Sequence, residues 1–359
     1  MRGWAGDLGA QFRRLIATHG PMPVARFMGE SNAHYYATRD PLGLSSGADG
    51  GDFVTAPEIS QMFGELCGLW LADVWMRAGG PTDPIYAELG PGRGTLARDV
   101  LRAMAGAGLR PEVHLVEGSP VLRGLQGAAV PGARFHEDAA SLPDDRPLLI
   151  LANEFLDALP IRQLVRTDRG WRERLVGLRE DSFVFVAGDQ PMDEAIPDRF
   201  DGASEGTVVE TCPGATAAIR HLAERLSRQG GAMLLIDYGH LDPQSGSTLQ
   251  AVRAHRKVSP FAAPGEADLT AHVDFATLAQ IAERNGCHVQ TATQGDWLRE
   301  MGIELRAAAL AKSAPEQSED LALACNRLVH ADEMGKLFKV LAVIAPDWPA
   351  GAGFTSSGG

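Results

Sequence analysis

The stretch Ile85-Tyr-Ala-Glu-Leu-Gly-Pro-Gly-Arg-Gly-Thr95 decides the fold of this chain. Its first five residues predict a short buried strand, and the glycines at alternate positions, Gly90, Gly92 and Gly94, predict a tight loop. A helix is expected from about Thr95. Because glycine has no Cβ, a ligand can lie directly against such a backbone and against the N-terminus of the helix. The stretch therefore predicts a strand, loop and helix that bind a nucleotide-type cofactor.

The spacing of the glycines favours one class of cofactor. A dinucleotide loop of the G-x-G-x-x-G type needs its third glycine at position 95, where this chain has Thr95. The tighter G-x-G-x-G pattern with an acid before it, here Glu88, is the form seen in S-adenosylmethionine-dependent methyltransferases. That cofactor has no pyrophosphate and carries an ammonium and a sulfonium, so a carboxylate suits it. Since glycines also end strands and cap helices, the context of the loop has to decide.

A second acid follows the loop at a suitable distance. The segment Val113-His-Leu-Val-Glu117 predicts a buried strand that ends in Glu117. An acid roughly 20 residues past the loop, at the tip of the second strand, is placed to bind two ribose hydroxyls. The alternative is a solvated carboxylate at the end of a strand. We expect the ligand role for Glu117 because the order of the elements is right.

Composition limits the classes of protein to consider. The chain has 359 residues, 45% of them hydrophobic and 22% charged, which predicts a soluble globular protein with more than one typical domain of sequence. Its net charge of −13 argues against binding to nucleic acid or to an anionic membrane. No apolar run approaches the length of a membrane span. Long apolar helices could contain a homodimer interface, but composition does not show one.

The cysteines and histidines predict neither a metal site nor disulfides. The four cysteines are far apart and form no C-x-x-C motif, and the histidines lack ligand spacing. Free, mostly buried thiols in a reducing compartment are the simplest interpretation, which places the protein in the cytoplasm.

The pattern along the chain predicts an α/β protein with a parallel sheet and an insertion. We expect an N-terminal helical extension and lid loop over 1–80, with helices near 7–19 and 59–76 and a loop over 34–51. The sheet and its helices are assigned to 81–159 and 206–350, because continuous apolar runs such as 147–152 are typical of buried parallel strands. Alternating segments predict β-hairpins inserted over 160–205. The Gly/Ser tail, 351–359, is expected to be disordered.

Several separated motifs resemble the MidA family in the family's order. The resemblance covers nearly the whole chain and is much more specific than the glycine loop. One departure is the segment 31–47, where Tyr35-Tyr36 is present but its flanks differ from the family pattern. The motifs are Gly51-Asp-Phe-Val-Thr-Ala-Pro-Glu-Ile-Ser-Gln61, Phe63-Gly-Glu65, Glu88-Leu-Gly-Pro-Gly-Arg-Gly-Thr-Leu96, Leu115-Val-Glu-Gly-Ser-Pro120, Asn153-Glu-Phe-Leu-Asp-Ala-Leu-Pro160, Asp237-Tyr-Gly239 and Asp268-Leu-Thr-Ala-His-Val-Asp-Phe275.

The resemblance implies a Rossmann-like class I methyltransferase with helices on both faces of its sheet, an inserted subdomain and S-adenosylmethionine as cofactor. The mitochondrial member of the family is a complex I assembly factor and protein arginine methyltransferase. A protein substrate is therefore expected, with an arginine-bearing subunit of a respiratory complex as the candidate. In a bacterium such an enzyme would lie in the cytosol, and in a eukaryote in the mitochondrial matrix.

Three acids are candidates for binding a guanidinium substrate. A guanidinium needs carboxylates that accept its hydrogen bonds and fix its plane, so that one nitrogen faces the methyl group. Glu154 and Asp157 follow the strand 147–152 at the ligand-binding edge of the sheet, and Glu58 precedes a long helix. The alternative is that Asn153 caps a short helix with Glu154 and Asp157 in its first turn, and that Glu58 also caps a helix.

Two further residues are expected to contact the cofactor. Asn153 offers an amide at the tip of its strand, and Asp138 follows the third strand, where methyltransferases often contact the adenine amine. Two alternative functions stay open at this point. One is a nicotinamide-dependent oxidoreductase on a similar fold, and the other is an assembly chaperone that keeps S-adenosylmethionine as a structural ligand.

Overall fold

The computed structural model describes residues 7–38, 55–253 and 256–354, and these residues form two compact units. The first, here called the core unit, comprises the described residues of Val54–Phe155, Thr216–Asp242 and Val273–Gly359. The second, the insert unit, comprises those of Met1–Phe53, Leu156–Ala215 and Pro243–His272. Each unit is therefore assembled from three separate stretches of the chain.

The helices and strands are numbered in chain order. The helices are α1 (Leu8–His19), α2 (Val24–Thr38), α3 (Ala56–Ile59), α4 (Gln61–Arg77), α5 (Thr95–Gly106), α6 (Pro120–Ala129), α7 (Pro213–Gln229), α8 (Phe275–Arg284), α9 (Gln294–Glu300), α10 (Ile303–Ser313), α11 (Ser318–Val329) and α12 (Met334–Leu337). The strands are β1 (Met22–Pro23), β2 (Ile85–Leu89), β3 (Glu112–Val116), β4 (Arg134–His136), β5 (Leu148–Asn153), β6 (Arg162–Thr167), β7 (Gly170–Arg179), β8 (Ser182–Pro191), β9 (Val208–Thr211), β10 (Gly231–His240), β11 (Gln250–Arg253), β12 (Arg256–Val258), β13 (Asp268–Thr270), β14 (Val273–Asp274), β15 (His288–Thr293) and β16 (Phe338–Ile344).

The main sheet of the core unit has the order β15-β16-β10-β5-β2-β3-β4, with the short β14 paired to β10. The strands β10, β5, β2, β3 and β4 run parallel, and β16 is antiparallel to both of its neighbours. Every residue of β2 and of β5 is buried. Burial on both faces explains why these strands are continuous apolar runs rather than alternating ones. The predicted α/β class with a largely parallel sheet is confirmed.

Glycines on α4 let that helix approach α5, which begins at the glycine loop. A Cβ added at Gly68 would lie 2.5 Å from the carbonyl oxygen of Val100, and one at Gly64 would lie 2.8 Å from Cβ of Asp99. The helix α4 carries buried side chains on most of its surface, so it lies in the core of the unit. Close packing here positions the helix that follows the loop.

The insert unit has a core of its own. The rings of Phe12 of α1 and Phe27 of α2 pack against each other with centroids 5.1 Å apart, and the ring centroid of Phe27 lies 5.8 Å from that of Phe183 of β8. The strand β1 pairs with β7, in a sheet ordered β1-β7-β6-β9 with β8 beside β7. Residues 7–38 therefore share a compact unit with the hairpins, whereas the sequence had placed them in a separate extension with α4.

The helix predicted near 59–76 is observed as α4 (Gln61–Arg77), and the strand predicted over 147–152 is observed as β5 (Leu148–Asn153). The predicted loop over 34–51 begins instead with the last turn of α2, which ends at Thr38, and the rest of it lies outside the described residues. The described residues of 241–273 contain a further, three-stranded sheet of order β12-β11-β13.

The first residues of the predicted disordered tail are packed. Gly351 is buried, its N–H donates to Oε1 of Gln290 at 2.7 Å, and Phe354 packs against Trp70 of α4. The prediction of disorder is wrong for 351–354, because neighbouring apolar side chains supply the burial that the Gly-rich segment lacks. Residues 355–359 lie outside the described part of the chain.

The cysteines are free thiols, as their spacing in the sequence predicts. Cys67, Cys212, Cys287 and Cys325 are all free, and only Cys212 is not fully buried. Among the residues that the structure describes, no helix is long and apolar enough to cross a membrane.

The close crossing of α4 and α5 can be tested at Gly68. We expect Gly68→Ala to lower the free energy of unfolding by about 1–3 kcal/mol, because the new Cβ meets a backbone oxygen that cannot turn away. Gly106→Ala, at the end of α5, is the matched control, since a Cβ there meets no atom within 4 Å. Urea unfolding of the two variants compares them. Equal stability of Gly68→Ala and the native chain would contradict the close approach.

Candidate active site

The order of the strands creates a crevice at one edge of the core sheet. From β2 the chain moves to β3 and β4 on one side and returns to β5 and β10 on the other. Since these strands are parallel, their carboxyl ends lie at the same edge, and the reversal between β2 and β5 is where open α/β sheets bind ligands. The residues after β2, β3 and β5 include Gly90, Glu117 and Glu154.

The three glycines of the loop meet different constraints. All three have positive φ, at 64° for Gly90, 53° for Gly92 and 82° for Gly94. A Cβ on Gly90 would lie 2.8 Å from the ring of Phe155, and one on Gly94 would lie 3.1 Å from Cβ of Ala129 on α6. A Cβ on Gly92 would meet no atom within 4 Å. Gly90 and Gly94 are thus needed for packing within the protein, whereas Gly92 borders open space.

Glu88 is buried at the end of β2, with 1% of its surface exposed. Oη of Tyr86, two residues earlier on the same side of the strand, donates a hydrogen bond to its Oε2 at 2.5 Å. Burial raises the pKa of Glu88 to about 7, against the lowering effect of this hydrogen bond. The carboxyl group is therefore poised to lose its proton near neutral pH, and a nearby cation would favour its charged form.

Glu117 follows β3 and is held by hydrogen bonds on both carboxylate oxygens. Oε1 accepts from the backbone N–H of Ser119 at 2.7 Å, and Oε2 accepts from Nε2 of Gln126 at 3.2 Å. The same Nε2 donates to the carbonyl oxygen of Gly92 at 2.8 Å. Gln126 of α6 therefore connects the glycine loop with the acid at the next strand, two features that the sequence predicted separately.

Asn153 is the last residue of β5, and Glu154 follows it. Glu154 has φ +50°, a left-handed conformation that non-glycine residues rarely adopt, and its N–H donates to the carbonyl oxygen of Ile236 at 3.0 Å. Its Oε1 accepts from Nδ2 of Asn153 at 3.0 Å and from the N–H of Ala56 at 3.2 Å. Residues 154–159 form turns. The alternative of a helix capped by Asn153 is therefore wrong.

The other predicted site residues lie in different settings. Glu58 is exposed on α3, the helix whose first N–H binds Glu154. Asp138 is exposed, and its Oδ1 accepts from the N–H of Ser141, so it caps a short 3-10 turn. Asp157 is half-buried and belongs to the insert unit, where its carbonyl oxygen accepts from the N–H of Ala271.

Sequence reasoning missed residues that shape the site. Oδ2 of Asp237 accepts from the N–H of Phe155 at 3.1 Å, so Asp237 anchors the turn after β5. Gln126 lies in none of the motifs that the sequence shows. A signal existed for it, because a glutamine occupies the helical face that Leu122 and Ala129 also share on α6.

The residues at this edge fit a cationic, ribose-bearing methyl donor. Oδ1 of Asn153 is buried and has no hydrogen-bond partner among the residues that the structure describes. Buried acceptors nearly always have a partner, so this oxygen is suited to a donor from a ligand. Gly92 borders open space, and the carboxylate of Glu117 is connected to the loop through Gln126. In the described part of the chain, no group of three or more residues could hold a metal ion.

Comparisons with known proteins agree with this arrangement. Residues 66–293 match the model of a family described as "Putative S-adenosyl-L-methionine-dependent methyltransferase". The chain is 35% identical to "Protein arginine methyltransferase NDUFAF7, mitochondrial" of Xenopus tropicalis, over 92% of this chain and 84% of that protein. Identity to the Drosophila melanogaster homologue of the same name is also 35%, covering 94% of this chain and 85% of that protein.

A solved structure is similar over almost the whole chain. It is a crystal structure of a Burkholderia thailandensis protein bound to S-adenosyl-homocysteine, 30% identical in sequence, with a TM-score of 0.82. The match covers 98% of this chain and 95% of that one. The similarity therefore extends to both compact units.

The buried carboxyl group of Glu88 predicts a specific dependence of stability on pH. Its pKa is raised in the folded state, so the folded protein keeps a proton that the unfolded chain loses above pH 4.5. Stability from this group is present at low pH and falls as pH rises from about 4.5 to about 7. We expect Glu88→Gln to remove that fall, which makes the variant more stable relative to the native chain at pH 8 than at pH 5 by about 3 kcal/mol.

Urea unfolding at the two pH values measures this difference. Glu65→Gln is a control of opposite sign: burial raises the pKa of Glu65, but hydrogen bonds and charges from Arg306 and Arg102 outweigh it and lower the pKa. Glu65→Gln should not become more stable relative to the native chain when the pH rises from 5 to 8. If Glu88→Gln shows the same relative stability at both pH values, the assignment of a raised pKa is wrong.

Proposed function

The chain belongs to this family of S-adenosylmethionine-dependent methyltransferases, and we propose that it methylates arginine side chains of a protein substrate. The proposed substrate is a subunit of a respiratory complex. The substrate class is supported by the names of the Xenopus and Drosophila relatives and by the MidA-like motifs. We place the enzyme in the bacterial cytosol, or in the mitochondrial matrix if the source is eukaryotic. Family membership also sets aside the nicotinamide-dependent alternative.

The setting of Glu154 is the observation that carries the proposal. A left-handed glutamate costs on the order of 1–3 kcal/mol, and such conformations persist where the surrounding structure holds a residue for a function. Here the strained backbone and the bonds from Asn153 and Ala56 fix a carboxylate at the carboxyl end of β5. A fixed carboxylate can accept hydrogen bonds from a guanidinium and hold its plane. We assign this role to Glu154, with Asp157 and Glu58 as further candidates.

The cofactor residues are proposed from the same edge of the sheet. The glycine loop would lie against the donor, Glu117 would accept hydrogen bonds from its ribose, and Glu88 would face its positive charge. Asn153 and Asp138 would contact its polar groups. When bound, S-adenosylmethionine supplies a methyl group on a sulfonium.

The chemical step needs little covalent help from the protein. A guanidinium nitrogen of the substrate forms a bond to the methyl carbon, and the carbon–sulfur bond breaks with its electron pair on sulfur. The nitrogen then loses one proton to solvent, and S-adenosylhomocysteine leaves. Holding the nitrogen in line with the breaking bond is the main contribution of the enzyme, because orientation replaces a costly bimolecular encounter. No general base is required if the proton leaves after transfer.

The open space at Gly92 allows a direct test of donor binding. We expect Gly92→Val to abolish binding of S-adenosylhomocysteine in calorimetry, because the side chain occupies space that the ligand needs. Gly108→Val is the matched control. Gly108 also has a positive φ, of 86°, and also borders open space, but it lies after α5 and away from the loop. Both variants place valine at a positive φ, so equal loss of binding would mean that backbone strain rather than occupied space is responsible.

Substitution of Glu154 tests the chemistry. We expect Glu154→Gln to bind S-adenosylhomocysteine within about threefold of the native chain and to lose methyl transfer by a factor of about 100 or more, since one charged contact to the guanidinium disappears. Glu224→Gln, an exposed acid on α7, should transfer methyl groups normally. Native rates in Glu154→Gln would remove this residue from the proposed role.

The substrate is identified by mass spectrometry of respiratory-complex subunits from cells that lack this protein. A methylarginine that disappears, and returns with the native chain but not with Glu154→Gln, identifies the target. Unchanged methylarginines would contradict the proposed substrate. Assembly restored equally by the native chain and by Glu154→Gln without methylation would favour the assembly chaperone with a structural ligand.

A further inference from the structure

Gln126 is an unusual residue for the place it occupies. It lies on α6 with none of its surface exposed, between the glycine loop and the end of β3. Burying an amide is unfavourable unless its polar atoms are bonded, and burial also removes side-chain freedom. A glutamine at such a position therefore calls for an explanation in terms of its contacts.

The side-chain amide of Gln126 binds both the glycine loop and Glu117. Its Nε2 donates to the carbonyl oxygen of Gly92 at 2.8 Å and to Oε2 of Glu117 at 3.2 Å. The opposite orientation of the amide would turn its oxygen toward a carbonyl and a carboxylate, so the neighbours determine which way it points. Its Oε1 has no hydrogen-bond partner within the described ranges. The residue thus leaves its own acceptor unbonded while its amide nitrogen binds the loop and the acid.

The carboxylate of Glu117 is oriented by hydrogen bonds from two neighbouring groups. The N–H of Ser119 holds one carboxylate oxygen and Gln126 holds the other, while Nε of Arg123 donates to the backbone carbonyl of Glu117 at 2.7 Å. A carboxylate that must accept two neighbouring hydroxyls benefits from having its plane set in advance, because less freedom is lost on binding. Loss of one of the two anchors would leave the group free to rotate.

We infer that Gln126 is a positioning residue: its amide, anchored on the carbonyl oxygen of Gly92, orients the Glu117 carboxylate for the ribose hydroxyls of S-adenosylmethionine. The inference rests on the proposed role of Glu117 in donor binding. It assigns no direct contact between Gln126 and the donor. Its effect on binding should therefore pass through Glu117.

A double-mutant cycle in the full-length chain separates positioning from packing. The variants are Gln126→Met, Glu117→Ala and the combination, and calorimetry measures their affinity for S-adenosylhomocysteine. We expect Gln126→Met to weaken binding by about tenfold, since methionine fills similar space without donating a hydrogen bond. In the Glu117→Ala background the same change should cost less than about twofold, because the group it orients is gone.

Gln294 provides a matched control. It is also a fully buried glutamine of the core unit, with its Nε2 bonded to the carbonyl oxygen of Leu328 at 2.9 Å and its Oε1 without a partner in the described residues. It lies on α9, away from the loop. We expect Gln294→Met to lower the unfolding midpoint about as much as Gln126→Met does but to leave the affinity for S-adenosylhomocysteine unchanged.

The outcomes distinguish this inference from the proposed function. Native affinity of Gln126→Met for S-adenosylhomocysteine would overturn the inference. So would a loss of affinity in the double variant equal to the product of the two single losses. Neither result would contradict binding of S-adenosylhomocysteine by the native chain. A loss in Gln126→Met with native affinity in Glu117→Ala would place the effect on the glycine loop and would also overturn it. Absence of binding by the native chain would instead remove the proposed function.

Discussion

The parallel course of β2, β3, β4, β5 and β10 is the constraint on which the rest of the structure depends. Parallel strands place all of their carboxyl ends at one edge of the sheet, so segments far apart in sequence end side by side. The glycine loop follows β2, Glu117 follows β3, Asn153 ends β5, and Glu154 follows it. The reversal of direction between β2 and β5 leaves the crevice that these residues line.

The carboxylates of this edge are held mainly by neutral donors. Glu88 is bonded by a tyrosine hydroxyl, Glu117 by an amide and a backbone N–H, and Glu154 by an amide and a backbone N–H. Elsewhere in the core unit, Glu65 is bonded by two arginines and its pKa is lowered. Neutral donors orient a carboxylate without cancelling its charge. Under the proposed function, that charge remains available to the positive charge of S-adenosylmethionine and to a guanidinium.

The insert unit shows how a second core arises without a second continuous domain. The apolar faces of α1 and α2 cannot be buried by the short segment that contains them, and they share a core with the strands β7, β8, β11 and β13. The segment before residue 39 and the hairpins after residue 156 are thus one unit because they share apolar side chains. A boundary drawn from changes in sequence texture cannot detect such sharing, since it depends on which faces meet.

The sequence by itself determined the features that depend on local pattern. Apolar runs identified the buried strands β2 and β5, and the helices α1 and α4 were also located from the sequence. The three alternating glycines identified a loop in which each of them has a positive φ. These features follow from backbone sterics and from burial, which neighbouring residues in the chain largely decide. The family and its cofactor followed from motifs built on the same elements.

Only the tertiary structure decided how distant polar groups are used. The bond from Gln126 to Glu117, the carboxyl group of Asp237 at the turn after β5, and the raised pKa of Glu88 all depend on groups brought together by packing. The strained backbone of Glu154 is likewise imposed by its neighbours, because no local preference favours a left-handed glutamate. Local pattern chooses the elements, whereas hydrogen-bond partners and desolvation are properties of the assembled chain.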